Sequence, residues 1–175
     1  MPNHSSSPRS IVVSRESVAS DEPYDIIQSN IDFLNSLFAG GLNVDEVSQE
    51  ALLSYHVDFY LGQTNNGGFA QFVFNSDFNP RMVATIRDGL AAMGARRHAA
   101  LFEEGAALVE SYGEAWLADF TSRSLEDYGK TPNLDALRAI DRRFFEINRT
   151  EDLIVLNAAW LRAHPALSSS RPTPK

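Results

Sequence analysis

The sequence predicts an all-α fold: a single compact domain of about seven or eight helices, arranged as helical hairpins around an aromatic-rich core. Three observations lead there. Apolar residues recur at intervals of three and four, as in Ile27, Ile31, Leu34 and Phe38. Gly, Pro and Asn sit where such runs should start or stop, as in Asn79-Pro80 and Gly40-Gly41. The one stretch of high β propensity, Phe72-Val73-Phe74, has no evident partner strand. With 175 residues and 43 % hydrophobic content, the chain suits one self-sufficient core.

The elements follow in order. Residues 1–20 are Ser-rich, with an isolated apolar cluster at Ile11-Val12-Val13, and read as a disordered tail without an export signal. Asp21-Glu22-Pro23 opens the first helix, because proline suits its first turn and acids suit the positive end of its dipole. Gly40-Gly41 closes it. Asn43 with Glu46 forms a capping-box pattern for a second helix, with Ala51, Leu52, Tyr55 and Phe59 inward. Asn65-Asn66-Gly67-Gly68 breaks that helix, and Phe69 to Asn75 resumes as a short one. Val83, Ile86, Leu90 and Met93 mark the next helix, and Gly94 stops it. Ala95 to Tyr112 follows, with Leu101, Phe102, Gly105 and Leu108 inward, to Gly113. A short helix at Glu114–Phe120 carries Trp116, and residues 121–132 are irregular. Asn133 caps a helix with Leu137, Ile140 and Phe144 inward, and Arg138, Arg142, Arg143 and Arg149 outward. Thr150 caps the last, which His164-Pro165 ends. The domain thus spans 21–165, and residues 166–175 read as a second disordered tail.

Charge is distributed unevenly. The net charge is −8, yet residues 16–80 hold ten acids and no Lys or Arg, while 81–175 balance. Such a block repels nucleic acid and attracts basic surfaces. Direct nucleic-acid binding through it is disfavoured, because phosphates need Lys and Arg. A solvated surface kept for solubility would look the same. Glu46, Glu50, Ser54 and Asp58 recur every fourth residue, so consecutive members stand about 6 Å apart along a helix. That spacing would let carboxylates imitate a row of phosphates. Asp58, between Val57 and Phe59, also fits a buried role bonding the Asn65-Asn66 turn.

Chemical motifs are sparse. Cysteine is absent, which excludes disulfides and thiol catalysis. His4, His56, His98 and His164 are dispersed without a metal-binding pattern, and His98 reads as exposed or half-buried. No phosphate loop, nucleophile elbow or dinucleotide fingerprint is present. Neighbouring acid pairs such as Glu103-Glu104 diverge by about 100° on a helix and make no acid–base couple. The expectation is therefore a non-enzymatic protein without cofactor or metal. No apolar run is long enough to span a membrane, and a cytoplasmic location is expected.

Tyr55, Val57, Asp58 and Tyr60, followed by Asn65-Asn66-Gly67-Gly68-Phe69, Gln71-Phe72 and Asn75-Ser76, resemble a bacterial family of small acidic helical proteins. Ala92-Met93-Gly94-Ala95, His98-Ala99 and Phe102 resemble its next block, and the similarity covers roughly residues 24–165. The best-known member is described as a DNA mimic. The resemblance implies an all-helical domain that acts through protein contacts. Asp25, Asp32, Glu46, Glu50 and Asp58 are the candidate partner-binding acids. The partner would be a basic DNA-binding protein or a basic enzyme neutralised by the same surface. A homodimer would lengthen an acidic track, although no motif specifies one. The corner of Asn65, Asn66, Gly67, Gly68, Phe69, Gln71 and Asn75 is either a structural turn or the lining of a small polar pocket.

Overall fold

The computed structural model describes residues 10–124 and 126–170. In these, β1 (Ile11–Ser14) leads into α1 (Arg15–Ala19), α2 (Pro23–Ala39), α3 (Gln49–Ser76), α4 (Pro80–Ala92), α5 (Arg96–Thr121), α6 (Leu134–Asn148), α7 (Leu153–Ala163) and β2 (Leu167–Ser170). A 3-10 turn, Tyr128–Lys130, interrupts the link before α6. The helical expectation holds, with an aromatic cluster at its centre. The Tyr60 ring is fully buried, and the rings of Phe69, Phe72, Phe102 and Phe144 surround it edge-on at centroid distances of 5.0–6.1 Å. Edge-to-face packing suits the ring quadrupoles, so the cluster adds directional preference to burial.

Both long helices contain a glycine break where the sequence places one. In α3, Gly67 and Gly68 leave helical geometry, Gly68 at φ 78°. In α5, Gly113 does so at φ 81°. The shape of the first break depends on a remote side chain. Asp141 of α6 accepts the Phe69 N–H at 2.7 Å and presses its carboxylate against Gly68, where a β-carbon would collide with it. An aspartate from another helix thus caps the second segment of α3 and favours the positive end of its dipole. Gly105 admits Phe69 in the same way, since a β-carbon there would lie 2.6 Å from the Phe69 ring.

A second apolar cluster joins Ile11, Val13, Ile26, Ile27, Leu34, Leu52, Ala158 and Leu161. It locks α2 and α7 to the first half of α3. Asn30 donates to Ala51 O at 3.0 Å and Asn157 donates to Ser54 O at 3.2 Å within this junction.

Several expectations need correction. The tails were expected to be disordered, but Ile11–Ser14 pairs in parallel with Leu167–Ser170. The alternation of buried Ile11 and Val13 with half-buried Val12 and Ser14 supplies the apolar face, and α1 follows directly. Residues 1–9 and 171–175 lie outside the described residues. Helix α3 begins five residues later than its Asn43 cap implied: Ser48 is the cap, accepting from Ala51 N at 3.2 Å. Asn43 and Glu46 still bond, N–H to Oε2 at 2.9 Å, but within a turn. Asp152, not Thr150, caps α7. Asn133 precedes α6 through its left-handed backbone, with no side-chain cap bond. His98 is fully buried, its Nε2 2.9 Å from Glu151 O.

Candidate functional site

The acidic block resolves into three environments. The first is an open groove of about 670 Å³ between β1, α1 and α2, lined by Val12, Val13 and Ser14 on one side and Gln28, Ser29, Asp32 and Phe33 on the other. Glu16, Asp25 and Asp32 all line it, and among the described residues no Lys or Arg does. Short-range bonds orient two of them. Ser20 Oγ donates to Asp25 at 2.5 Å, and Gln28 donates to Asp32 at 2.8 Å. Both acceptors keep further lone pairs for an incoming donor. Arg162 reaches the rim, donating to Ser20 O at 2.9 Å.

The second environment is half-buried. Asp58 lies against Tyr24, whose hydroxyl donates weakly at 3.4 Å, and not against the Asn65-Asn66 turn. Burial pushes the Asp58 carboxyl up to about 6, the Tyr24 contact opposing. Burial raises the Tyr24 hydroxyl first, with Asp58 and Asp32 adding to it, so these two acids flank that ring. Tyr55 is raised by burial and then by Asp58. Two residues before Asp58, His56 is buried and held down to about 4 by burial and by Arg81.

The third environment is the approach to α3. Glu46 stays with Asn43, Glu50 touches Ser48 at 3.3 Å, and Asp45 pairs with Arg81 at 2.5 Å. Neither Glu46 nor Glu50 lines the groove. The row Glu46, Glu50, Ser54, Asp58 therefore fails as one helical edge. Glu46 precedes the helix and Ser54 is fully buried. Of the five candidate acids, α2 and α3 bring Asp32 and Asp58 around Tyr24, while Asp25 and Asp32 line the groove. Glu16 is a lining acid that sequence reasoning missed, since it fell in a segment read as disordered. The apolar alternation just before it was the available signal.

At the glycine corner, Asn65, Asn66 and Gly67 are exposed, while Gly68 and Phe69 are buried. Gln63 Oε1 accepts from Gln71 at 3.0 Å and from Asn75 at 2.6 Å, tying the two α3 segments together across the break. These bonds and the Asp141 cap give Gly68, Phe69, Gln71 and Asn75 structural roles at the corner. Among the described residues, no group of three or more His, Asp or Glu could hold a metal ion, and no helix is long and apolar enough to cross a membrane.

Fold and surface define a helical domain with an acidic groove on its N-terminal side. The model of the DMP19-like protein family matches residues 45–164, and the chain belongs to that family. No curated protein and no solved structure matches it. The groove acids Glu16, Asp25 and Asp32 precede the matched stretch, whereas Glu46, Glu50, Asp58 and the glycine corner fall inside it.

Proposed function

We propose that this protein is a non-enzymatic, acidic interaction module that occupies the DNA-binding surface of a basic protein. The observation that supports it is the convergence of Glu16, Asp25 and Asp32 on one open groove whose lining, among the described residues, contains no cation. Carboxylates so placed would meet the Lys and Arg that otherwise contact phosphates. Affinity should then fall steeply with salt, as it does for DNA. Resemblance to a family with a described DNA mimic supports the same reading.

A low-salt pulldown with the full chain, eluted in parallel by a salt gradient and by duplex DNA, tests it. Capture of a DNA-binding protein that free duplex displaces is the expected result. Asp25→Lys with Asp32→Lys should abolish capture without lowering the melting temperature. Unchanged capture in that variant would remove the groove from the proposal. Glu46→Lys with Glu50→Lys probes the family-matched acids separately. Recovery of a basic enzyme, not displaced by DNA, would instead favour an inhibitor role.

A further inference from the structure

Among the described residues, strand β1 is paired along one edge only. In a parallel ladder each residue turns its N–H and C=O to one side, and its neighbour turns them to the other. Ile11 donates to Ala166 O at 3.0 Å, so Ile11 and Val13 face β2, and Val12 and Ser14 face the opposite edge. Ser14 is already satisfied there. Its N–H donates to Ser29 Oγ at 2.8 Å and its carbonyl accepts from Ser17 Oγ at 2.9 Å. The half-buried Val12 lines the groove, and its backbone groups have no partner among the described residues. An open strand edge is a template for another chain.

We propose that the groove receives an extended segment of a basic partner, which adds as a strand to β1 at Val12 and places alternate Lys or Arg side chains against Glu16, Asp25 and Asp32. The positive charge of the partner rests on the function proposed above; the backbone pairing does not. An extended chain carries same-face side chains about 6–7 Å apart, so it presents repeated cations without turning. It also brings the unpaired N–H and C=O groups that Val12 lacks, whereas a helix satisfies its own. A cleft of about 670 Å³ accommodates such a segment. Phe33 offers an apolar surface for the lysine or arginine stems.

The test uses a fluorescein-labelled nine-residue peptide alternating Lys and Thr, titrated with the full chain at low salt and followed by anisotropy. Two versions carry backbone N-methyl groups, one on the odd residues and one on the even. Only one set faces β1, so one version should bind at least about tenfold more weakly and the other should match the parent. Val12→Pro removes the open-edge N–H at a position where an edge strand tolerates proline. It should reproduce the loss with an unchanged melting temperature. If that variant unfolds, the methylated peptides decide alone. Equal binding by both methylated versions overturns strand addition and leaves a purely electrostatic groove. No binding of the parent peptide also overturns it, and the pulldown above then judges the functional reading separately. A concentration-dependent dimer that Val12→Pro dissolves, without peptide binding, would assign the edge to a second copy and overturn it as well.

Discussion

From Glu103 onward, several carboxylates reach across the fold, although Asp119, Asp127, Asp135 and Asp152 bond locally; before Asp77, they mostly bond within their own neighbourhood. Glu104 grips Arg143 through two bonds, the longer at 2.9 Å, and Glu103 takes Arg87 at 2.7 Å. Asp141 caps the second segment of α3 from 72 residues away. Glu151 receives the N–H groups of Arg97 and His98, each at 2.9 Å, and so caps α5, whose own Ala95 cannot. In the earlier half, Asp25 bonds Ser20, Asp32 bonds Gln28 and Glu46 bonds Asn43, all within five residues. The exceptions are Asp45 with Arg81 and Asp58 with Tyr24. The long-range acids Glu104, Asp141 and Glu151 hold helices in place, whereas Glu16, Asp25 and Asp32 leave their charge at the surface. Similar side chains, with and without distant partners, thus separate structural acids from candidates for recognition.

The sharpest test of the structural set lies at the glycine corner. Gly68→Ala forces a side chain into φ 78° and against the Asp141 carboxylate. It should destabilise the protein by about 3 kcal/mol, read by urea denaturation. Asp141→Ala strands the Phe69 N–H and should cost about 2 kcal/mol. If the two changes share one cause, the double variant will be less destabilised than their sum. Strict additivity would mean that the aspartate does not shape the corner.

Asp58 breaks the comparison from the other side, as an early acid that is half-buried. Its folded-state pKa, about 6, lies above its ordinary value of 3.8. Stability from its protonated form is therefore present below pH 4 and lost as pH rises through 6. His56 runs oppositely. Lowered from 6.5 to about 4, it contributes above pH 6.5 and loses that contribution as pH falls through 4. The two offset each other in the wild type. Asp58→Asn should gain roughly 2 kcal/mol at pH 8 and nothing below pH 4. It should also expose the His56 slope, so that the variant weakens as pH falls from 6.5. A flat profile in the variant would contradict that balance.

The helices were legible because their signals are local: Pro23 and Pro80 in first turns, Gly113 at a break, and regular apolar spacing in α6. The glycine corner was legible as a turn, but its partner was not, because nothing near residue 68 points to Asp141. The strand pair was missed for the same reason. Each strand has four residues, and each becomes stable only once Ile11 and Leu167 meet across the whole chain. The candidate site was half legible. Asp25 and Asp32 could be named from the charge block, but the groove depends on β1 and α1, so Glu16 was overlooked. The predicted row on α3 failed at Glu46, where helix periodicity was extended through a turn at Asn43–Ser48, and at Ser54, which faces the interior.

Glu151→Ala comes next in size. Removing it leaves two N–H groups at the start of α5 without their acceptor, and about 1 kcal/mol of stability should disappear. Hydrogen exchange at His98 should quicken more than exchange at Phe102, since the damage is confined to the first turn. Uniform acceleration along α5 would show that Glu151 does more than cap.

The smallest effect is expected from Asp25→Asn combined with Asp32→Asn. Amide oxygens still accept the Ser20 and Gln28 bonds, so the local geometry persists. Both residues are exposed, so their loss should change stability by less than about 0.5 kcal/mol. The sign should be favourable at low salt, where like charges in the groove repel, and should vanish as salt screens them. A clear destabilisation would mean that these acids hold the fold as those of the later half do. The division between the halves would then lose its meaning, and the outward-facing charge would need no partner to explain it.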